Sequence, residues 1–337
     1  MGLTGAPHGN VARPIRSILL LLGLLLGCST VALPASTPLT LAVADIQIAA
    51  PVLIAEAKGF FLGEGLALNV IHCPVGRVCL RQLLDGKAQI ATVADVPIAT
   101  ASLTRKGFAI VATITNSGRE NRLVVRQDRG IHSAADLKGK RIGTLVGTTG
   151  QYFTESVLLY SGLNVSDVTI VPLDPGDVIG PLQRGEIDAA GLFEPHGREA
   201  LRRLGTQARA LPLPEIISTT FNLVSVPSAA GASDGDILKL LRAVQRANQL
   251  IRDDPEQARK IVATALKIDP LALAESWNDY DFRLQLGQPL VTTLEAQARW
   301  AMRIKSGGDR TRIPDFLEFI RAEPLRRLDA RAVRLVQ

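Results

Sequence analysis

The sequence is poor in the residues from which several kinds of functional site are built. Only 4% of its 337 residues are aromatic, which argues against a surface that stacks exposed nucleic-acid bases. Four histidines and three cysteines leave little material for a metal site or a thiol relay, and we predict neither a metal nor a cofactor. This scarcity disfavours several classes of enzyme before any motif is considered.

The remaining composition is that of an ordinary folded protein. Hydrophobic residues make up 47% and charged residues 21%, which excludes wholesale disorder, collagen and coiled coil. We find no internal repeat, and the length favours two domains. The net charge of +6 includes Arg13 and Arg16 of a predicted leader, and the remaining mild basicity is weak support for a nucleic-acid partner. We predict no nucleic-acid binding.

The amino terminus has the pattern of a secretory signal peptide at residues 1–27. Two arginines precede a leucine-rich run at 18–26, and small residues follow it. The run is far shorter than the ~20 apolar residues that span a bilayer, so an uncleaved anchor is less favoured. LLGC (25–28) resembles a bacterial lipoprotein box, which predicts lipidation of Cys28; the alternative is an incidental cysteine near an ordinary cleavage site. Residues 28–38 then form a tether to a body held in the periplasm or cell envelope.

The other two cysteines, Cys73 and Cys79, bracket the short segment CPVGRVC. In an oxidising compartment, a pair this close predicts a disulfide. Two buried thiols are the first alternative. A zinc site is a weaker one, because it needs two more ligands and only His72 is nearby.

Short apolar runs typical of buried strands alternate with helical patterns through most of the chain, which predicts an α/β fold with mainly parallel sheets. The predicted strands lie at 39–45, 66–72, 88–94, 108–114, 122–128, 141–146, 168–173, 187–192 and 219–226. The predicted helices lie at 51–58, 77–84, 97–105, 149–159, 178–183, 195–204, 236–252, 256–266, 271–277, 294–304 and 314–321.

The order of these elements predicts two interleaved α/β domains. Domain I comprises residues 39–122 and 223–337, with the C-terminal helices, and domain II comprises residues 123–222. Two extended crossings, near 122–127 and 220–226, would join the domains as a hinge. We expect the ligand site in the cleft between them.

Four segments in order resemble the NMT1/THI5-like and SsuA-like family of ABC-transporter substrate-binding proteins. They are AEAKGFFLGEGLALNV (55–70), LLDGKAQIATVAD (83–95), ADLKGKRIGTLVGTTGQY (135–152) and LQRGEIDAAGLFEPH (182–196). The second departs from the family pattern at Gln89, where Asp is usual. The fourth departs at Phe193, where Trp is usual, and at His196, where Tyr is common.

The resemblance implies a type II periplasmic-binding-protein fold that captures a small solute and delivers it to an ABC permease. The ligand classes of the family include sulfonates, taurine, nitrate and thiamine-related pyrimidines. The protein would be a monomer, attached to the membrane through its lipid anchor.

Polar residues at the predicted strand ends are the candidate ligand contacts, because open α/β sheets bind ligands there. In domain I they are Asp45, Gln47, Gly76, Arg77 and Asp95. In domain II they are Thr148, Thr149, Gln151, Tyr152, Asp174 and Glu194. The helix start at 147–150 favours an anionic ligand group, whereas the carboxylates favour amines or ring N–H donors. For each residue a structural role, as a cap, turn or core residue, is the alternative.

Three functions follow, and the sequence favours the first. The first is a solute-binding protein without catalytic activity. The second is an exported sensor that signals to a membrane receptor. The third is an enzyme related to thiamine-pyrimidine synthesis. The clustered cysteines of that enzyme branch are absent, and no G-x-S-x-G nucleophile motif occurs.

Overall fold

The computed structural model describes Met1 and residues 38–227, 231–306 and 312–336. The predicted signal peptide, the predicted lipidation site Cys28 and nearly all of the tether lie outside these residues. The body that begins at Pro38 forms a single compact unit.

Strands and helices alternate over most of this body, as the sequence pattern predicts. The strands are β1 (Leu39–Ala44), β2 (Leu68–Cys73), β3 (Ile90–Ala94), β4 (Ala109–Ser117), β5 (Asn121–Arg126), β6 (Arg141–Thr144), β7 (Thr169–Pro172), β8 (Ala189–Phe193), β9 (Ala208–Ala210), β10 (Thr219–Ser225), β11 (Asp281–Gly287) and β12 (Val333–Arg334). The helices are α1 (Ala50–Ala57), α2 (Phe60–Gly63), α3 (Gly76–Leu84), α4 (Asp95–Ser102), α5 (Thr149–Tyr160), α6 (Gly180–Gln183), α7 (His196–Leu204), α8 (Asp234–Asp253), α9 (Pro255–Leu266), α10 (Pro270–Ala274), α11 (Gln288–Arg303) and α12 (Glu323–Leu328). Short 3-10 turns lie at Gln47–Ala49, Gln127–Arg129, Ala134–Leu137, Val165–Asp167, Gly205–Gln207, Trp277–Asp279, Phe316–Phe319 and Ala330–Ala332.

The strands form two sheets with a common plan. The domain I sheet has the order β12-β11-β4-β10-β3-β1-β2, and the domain II sheet has the order β7-β6-β8-β5-β9. In each sheet three parallel strands lie side by side, β2-β1-β3 or β7-β6-β8. The next strand in each sheet, β10 or β5, is antiparallel to them. The fold is therefore the mixed α/β fold that the sequence predicts.

The chain crosses between the sheets a few residues earlier than predicted. The crossings lie at 118–120, between β4 and β5, and at 211–218, between β9 and β10. All of β5 belongs to the domain II sheet and all of β10 to the domain I sheet, so the predicted crossings coincide with paired strands. These segments pair as strands because their backbone N–H and C=O groups form hydrogen bonds with the neighbouring strands of the sheet.

Three strands, β9, β11 and β12, were not predicted, and β12 has only two residues. β11 alternates Phe282, Leu284 and Leu286 with polar residues, a period of two that is hidden among helical neighbours. β9 has only three residues and carries no clear pattern. Helix α11 begins at Gln288 rather than near 294, because Pro289 suits the first turn of a helix.

Apolar packing continues from one domain to the other. The main core cluster contains Val93 and Phe221 of the domain I sheet together with Leu192 and Phe193 of the domain II sheet. A second cluster, which includes Leu123 and Ile142, lies within domain II. Within the described ranges, the helices lack the length or apolar character needed to cross a membrane.

Candidate functional site

A small cavity lies where the carboxyl ends of parallel strands from both sheets meet. Its volume is about 20 Å³, which is room for about one water molecule. The residues that line it are Ile46, Ile48, Val75, Gly76, Arg77, Ala94, Pro97, Glu120, Thr148, Thr149, Phe193, Thr219 and Phe221. Domain I supplies residues that follow β1, β2 and β3, domain II supplies residues from the ends of β6 and β8, and a crossing supplies Glu120. This is the position where open α/β sheets bind ligands.

Arg77 brings a positive charge to this cavity. Its side chain is about half buried, and its Nε has no hydrogen-bond partner among the described residues. Burial, with a contribution from the charge of Arg81, lowers the pKa of Arg77, although a guanidinium remains charged. The aliphatic part of the Arg77 side chain lies against the domain II turn at Gly147. A Cβ added to Gly147 would be 3.3 Å from the Cδ of Arg77. The guanidinium is thus available to an anion at the domain boundary.

The start of helix α3 adds backbone donors beside that charge. Its N-cap residue is Val75, whose apolar side chain makes no cap hydrogen bond. The first amides of the helix are therefore not capped by the side chain of the N-cap residue. Gly76 packs so closely on β3 that a Cβ there would lie 3.2 Å from the backbone nitrogen of Ala94. Uncapped amides and the helix dipole both favour a negative group.

Helix α5 begins at the same cavity from the domain II side. Thr148 caps it: the hydroxyl accepts a hydrogen bond from the Gly150 amide at 3.2 Å and donates one to the Leu145 carbonyl at 2.7 Å. Thr149 is buried and lines the cavity as the first residue of the helix. The structure therefore brings together four of the predicted residues: Gly76, Arg77, Thr148 and Thr149.

Glu120 lines the cavity and is absent from the predicted set. It is buried, and the hydroxyl of Tyr280 donates a hydrogen bond to its Oε2 at 2.5 Å. Burial raises the pKa of Glu120, and the bond from Tyr280 offsets part of that rise. In the sequence Glu120 lies between Arg119 and Arg122 and resembles a solvated charge. Its place in a crossing between the two domains is the signal that could have identified it.

Two predicted contacts are buried but do not line this cavity. The carboxylate of Asp95 accepts hydrogen bonds at 2.8 Å from the amides of Val96 and Thr220, which ties the start of α4 to β10. Burial raises the pKa of Asp95 to about 6, and these hydrogen bonds limit the rise. The Oε1 of Gln47 accepts a hydrogen bond from the hydroxyl of Ser276 at 2.8 Å. Both side chains link parts of domain I.

Glu194 also lies outside the cavity lining, in a buried ion-pair cluster. It is fully buried and pairs with Arg122 and with Arg198. Burial raises the pKa of Glu194, and the two guanidinium charges offset part of that rise. Arg198 in turn contacts Glu275 at 3.0 Å and Asp279 at 3.2 Å in domain I. Through Arg122 and Arg198 the cluster joins the two domains near the crossing at 118–120.

The other predicted domain II contacts have partners outside the cavity lining. Gln151 accepts a hydrogen bond from the Gly147 amide and donates one to Glu155, both at 2.9 Å. The ring of Tyr152 meets Trp300 edge-on, with ring centroids 5.2 Å apart. Asp174 accepts a hydrogen bond from the Gly176 amide at 2.7 Å within its own turn.

Asp45 is exposed and forms a surface ion pair. Its Oδ1 lies 2.7 Å from Nδ1 of His72, whose Nε2 lies 3.2 Å from Glu56. Asp45 does not line the cavity.

Cys73 and Cys79 are free thiols in this structure, so the predicted disulfide is wrong here and the alternative of two buried thiols holds. Cys73 ends β2, Cys79 lies in α3, and both are packed in the core. Burial raises the pKa of Cys79, whereas a hydrogen bond from Cys79 lowers the pKa of Cys73. Among the described residues, no group of His, Cys, Asp and Glu is arranged to hold a metal ion.

The chain matches a known protein family. The sequence profile of the NMT1/THI5-like family matches residues 47–258, which is more than half of the chain. The chain belongs to the NMT1/THI5-like family. The matched range includes every residue that lines the cavity except Ile46.

Relatives and solved structures agree with this assignment. The chain is 27% identical over 226 residues to a Brucella abortus (strain 2308) protein named only as a binding protein, covering 64% of this chain and 67% of that protein. It is 30% identical over 148 residues to the taurine-binding periplasmic protein of Escherichia coli (strain K12), covering 44% of this chain and 46% of that protein. The alkanesulfonate-binding protein SsuA from Xanthomonas axonopodis pv. citri superimposes with a TM-score of 0.71 at 18% identity, covering 89% of this chain and 98% of SsuA. The structural likeness establishes the type II periplasmic-binding-protein fold, and the family supports a solute-binding role.

Proposed function

We propose that this protein binds a small organic anion of the sulfonate class in the cavity between its two domains and delivers it to an ABC permease. The observation that carries the proposal is the half-buried guanidinium of Arg77, which has no carboxylate partner among the described residues and lies beside the uncapped start of α3. Charge-assisted hydrogen bonds from a guanidinium and from helix-start amides suit the oxygens of a sulfonate.

The small volume of the cavity requires the domains to separate before such a ligand enters. The crossings at 118–120 and 211–218 are the connections about which domains I and II would open. The charged group of the ligand would then be enclosed between α3 and α5 when the domains close. Burial of this kind strengthens each hydrogen bond to the ligand because water is excluded.

A thermal-shift screen of the purified protein tests the proposal. We expect stabilisation by ethanesulfonate, taurine or propane-1-sulfonate in preference to nitrate and thiamine-related pyrimidines. A ligand present at 100 times its Kd adds ~2.7 kcal/mol to the free energy of unfolding. No shift with any sulfonate would contradict the proposed ligand class.

Calorimetry of two arginine variants tests the site. We expect Arg77→Ala to weaken sulfonate binding by ~10–100-fold, because a hydrogen bond to a charged group contributes about 1.5–3 kcal/mol. Arg81→Ala is the matched control, since Arg81 lies four residues later on the same helix and is exposed. Equal affinity of wild type and Arg77→Ala would exclude Arg77 from the site.

The remaining parts of the proposed function concern processing and partners. We propose export, lipidation at Cys28, a monomeric state and binding without turnover of the ligand. Mass spectrometry of the membrane-bound protein would detect a lipid on Cys28 and its loss in Cys28→Ser. Mass spectrometry of the recovered ligand should show it chemically unchanged.

A further inference from the structure

A second pocket lies in domain I, at the edge of the sheet where β11 pairs with β12. Its volume is about 510 Å³, which is within the range of small-molecule sites. Helix α8, strands β11 and β12, helix α12 and the turn that follows α12 supply its walls. Among the described residues, it shares no lining residue with the interdomain cavity. It is therefore a separate candidate site.

Arginine side chains give this pocket a positive charge. The four arginines that line it are Arg252, Arg283, Arg331 and Arg334. Asp329 is the one acidic residue in the described lining. Two of the arginines have carboxylate partners: Arg283 lies 2.5 Å from Asp281, and Arg331 lies 3.4 Å from Asp329.

The other two arginines hydrogen-bond only to neutral groups in the part of the chain that the structure describes. Nη2 of Arg252 donates a hydrogen bond to the side-chain oxygen of Gln249 at 2.6 Å. Nε of Arg334 donates one to the backbone carbonyl of Arg331 at 3.2 Å. Guanidinium groups match the oxygens of a phosphate in geometry and charge. The two charges without a carboxylate partner therefore favour an oxyanion.

Asn248 adds a buried polar group to the same pocket. It lies four residues before Arg252 on α8, lines the pocket and is only 2% exposed. Its side-chain oxygen Oδ1 is buried and has no hydrogen-bond partner within the described ranges. A buried acceptor without a partner is unfavourable, so a donor brought by a ligand would stabilise it. A hydroxyl group near the oxyanion would supply that donor.

Aliphatic side chains form another part of the wall. They belong to Leu284, Leu286, Leu325 and Leu328. Apolar lining with a few polar groups is typical of sites for organic ligands. The pocket thus suits a short carbon chain that connects a hydroxyl to an oxyanion better than it suits a bare ion.

From this arrangement we infer that the pocket binds a phosphate ester of a small polyol, with its phosphate at Arg252 and Arg334 and a hydroxyl that donates to Asn248. Glycerol phosphate has this chemistry, either as a free solute or as the headgroup of phosphatidylglycerol. The inference goes beyond the proposed function, because its residues are separate from the sulfonate site. It assigns the protein a second ligand.

Calorimetry with sn-glycerol 3-phosphate and inorganic phosphate tests the inference. We expect the wild type to bind the ester about fivefold more tightly than inorganic phosphate. Arg252→Gln combined with Arg334→Gln should weaken the binding of both by about tenfold or more. Asn248→Leu should weaken the ester alone, because leucine is similar in size and accepts no hydrogen bond. The matched control combines Arg242→Gln with Arg327→Gln, which removes two charges from exposed positions of α8 and α12 outside the pocket and should leave both affinities unchanged.

Vesicles distinguish the two sources of the ester. Sedimentation with vesicles of phosphatidylcholine and phosphatidylglycerol, or of phosphatidylcholine alone, uses protein with Cys28→Ser so that no lipid anchor holds it on the membrane. Binding to phosphatidylglycerol that the pocket variant loses and the control variant keeps supports the inference and assigns the lipid headgroup. Binding of the free ester without binding to vesicles supports it and assigns a soluble ester.

The remaining outcomes contradict the inference. Absence of binding both to free ester and to vesicles overturns it, and so does equal weakening by the pocket and control variants, which would show non-specific attraction of anions. Equal affinity of the wild type for ester and phosphate, or a preference that survives Asn248→Leu, overturns the role of Asn248. If that variant does not fold, the wild-type comparison still decides. Cooperative urea unfolding shows that the variants are folded even if the protein binds no sulfonate, so failure of the proposed function leaves this test intact.

Discussion

The indole Nε1 of Trp300 in domain I donates a hydrogen bond to Oε2 of Glu155 in domain II, at 2.7 Å. Both side chains are buried. The other carboxylate oxygen of Glu155 accepts a hydrogen bond from Gln151, which in turn accepts one from the Gly147 amide. A chain of hydrogen bonds therefore runs from the turn beside Arg77 to helix α11, across the domain boundary.

Removal of the indole donor should weaken ligand binding. In Trp300→Phe the buried carboxylate of Glu155 loses one partner, and a bond of this kind contributes about 1.5–3 kcal/mol. Because the bond joins the two domains that are proposed to close around the ligand, its loss should raise the Kd for a sulfonate about tenfold, mainly through faster release. Calorimetry and stopped-flow fluorescence measure both effects. In a double-mutant cycle with Glu155→Ala, the second substitution should cost much less than the first, and simple additivity would contradict this prediction.

Asp95→Ala should destabilise the fold and spare the binding of ligand. The substitution leaves the buried amides of Val96 and Thr220 without an acceptor, which costs roughly 3 kcal/mol in total. Urea unfolding measures the loss. Asp85→Ala is the control, since Asp85 is exposed at the end of α3 and should change stability by less than about 0.5 kcal/mol. A stable Asp95→Ala variant that binds sulfonate poorly would instead make Asp95 a ligand contact.

Glu194→Ala should be among the most destabilising single changes in domain II. It removes the buried carboxylate that pairs with Arg122 and Arg198, and although both arginines keep Asp279 as a partner, we expect a loss of roughly 2–3 kcal/mol. Glu215→Ala removes an exposed carboxylate from Arg119 and should cost less than about 1 kcal/mol. Chemical unfolding of the two variants gives the comparison. Similar losses in both would mean that the buried cluster contributes little.

Two histidines should titrate on opposite sides of pH 6.5. Burial alone lowers the pKa of His72, but the hydrogen bonds and charges of Asp45 and Glu56 raise it above the usual value. Burial lowers the pKa of His196, and the charge of Glu199 offsets part of that effect. NMR titration of the imidazole protons measures both values. In Asp45→Asn the pKa of His72 should fall; an unchanged value would mean that Asp45 does not stabilise the protonated ring.

The sign of these shifts gives their effect on stability. The contribution of His72 is present below pH 6.5 and is lost as the pH rises through its native pKa. His196 has the opposite effect, because its native state resists protonation and loses stability as the pH falls below 6.5. Since His72 and Asp45 are more than one-third exposed, solvent screening keeps the first effect below about 1 kcal/mol.

Local patterns predicted the elements of the site better than its contacts. The glycine-bearing segments after two strands correctly indicated a helix start at Thr149 and placed the start of α3 within one residue, at Arg77 instead of Gly76. Asp95 and Glu194 were predicted as ligand contacts because they follow strands. The structure instead pairs Asp95 with backbone amides and Glu194 with two arginines. Their partners come from segments that are distant in sequence, so the spacing of residues along the chain does not predict these contacts.

The sequence alone determined the alternation of strands and helices and the family, because hydrophobic period and glycine-bearing turns act locally. Only the tertiary structure decided that the Nε of Arg77 has no hydrogen-bond partner within the described ranges, while Glu120 is buried in the same cavity. Which charges are neutralised depends on contacts such as Arg122 with Glu194, across 72 residues of chain. Burial and pairing are properties of the packed domains, and these properties separate a structural carboxylate from one that is free to meet a ligand.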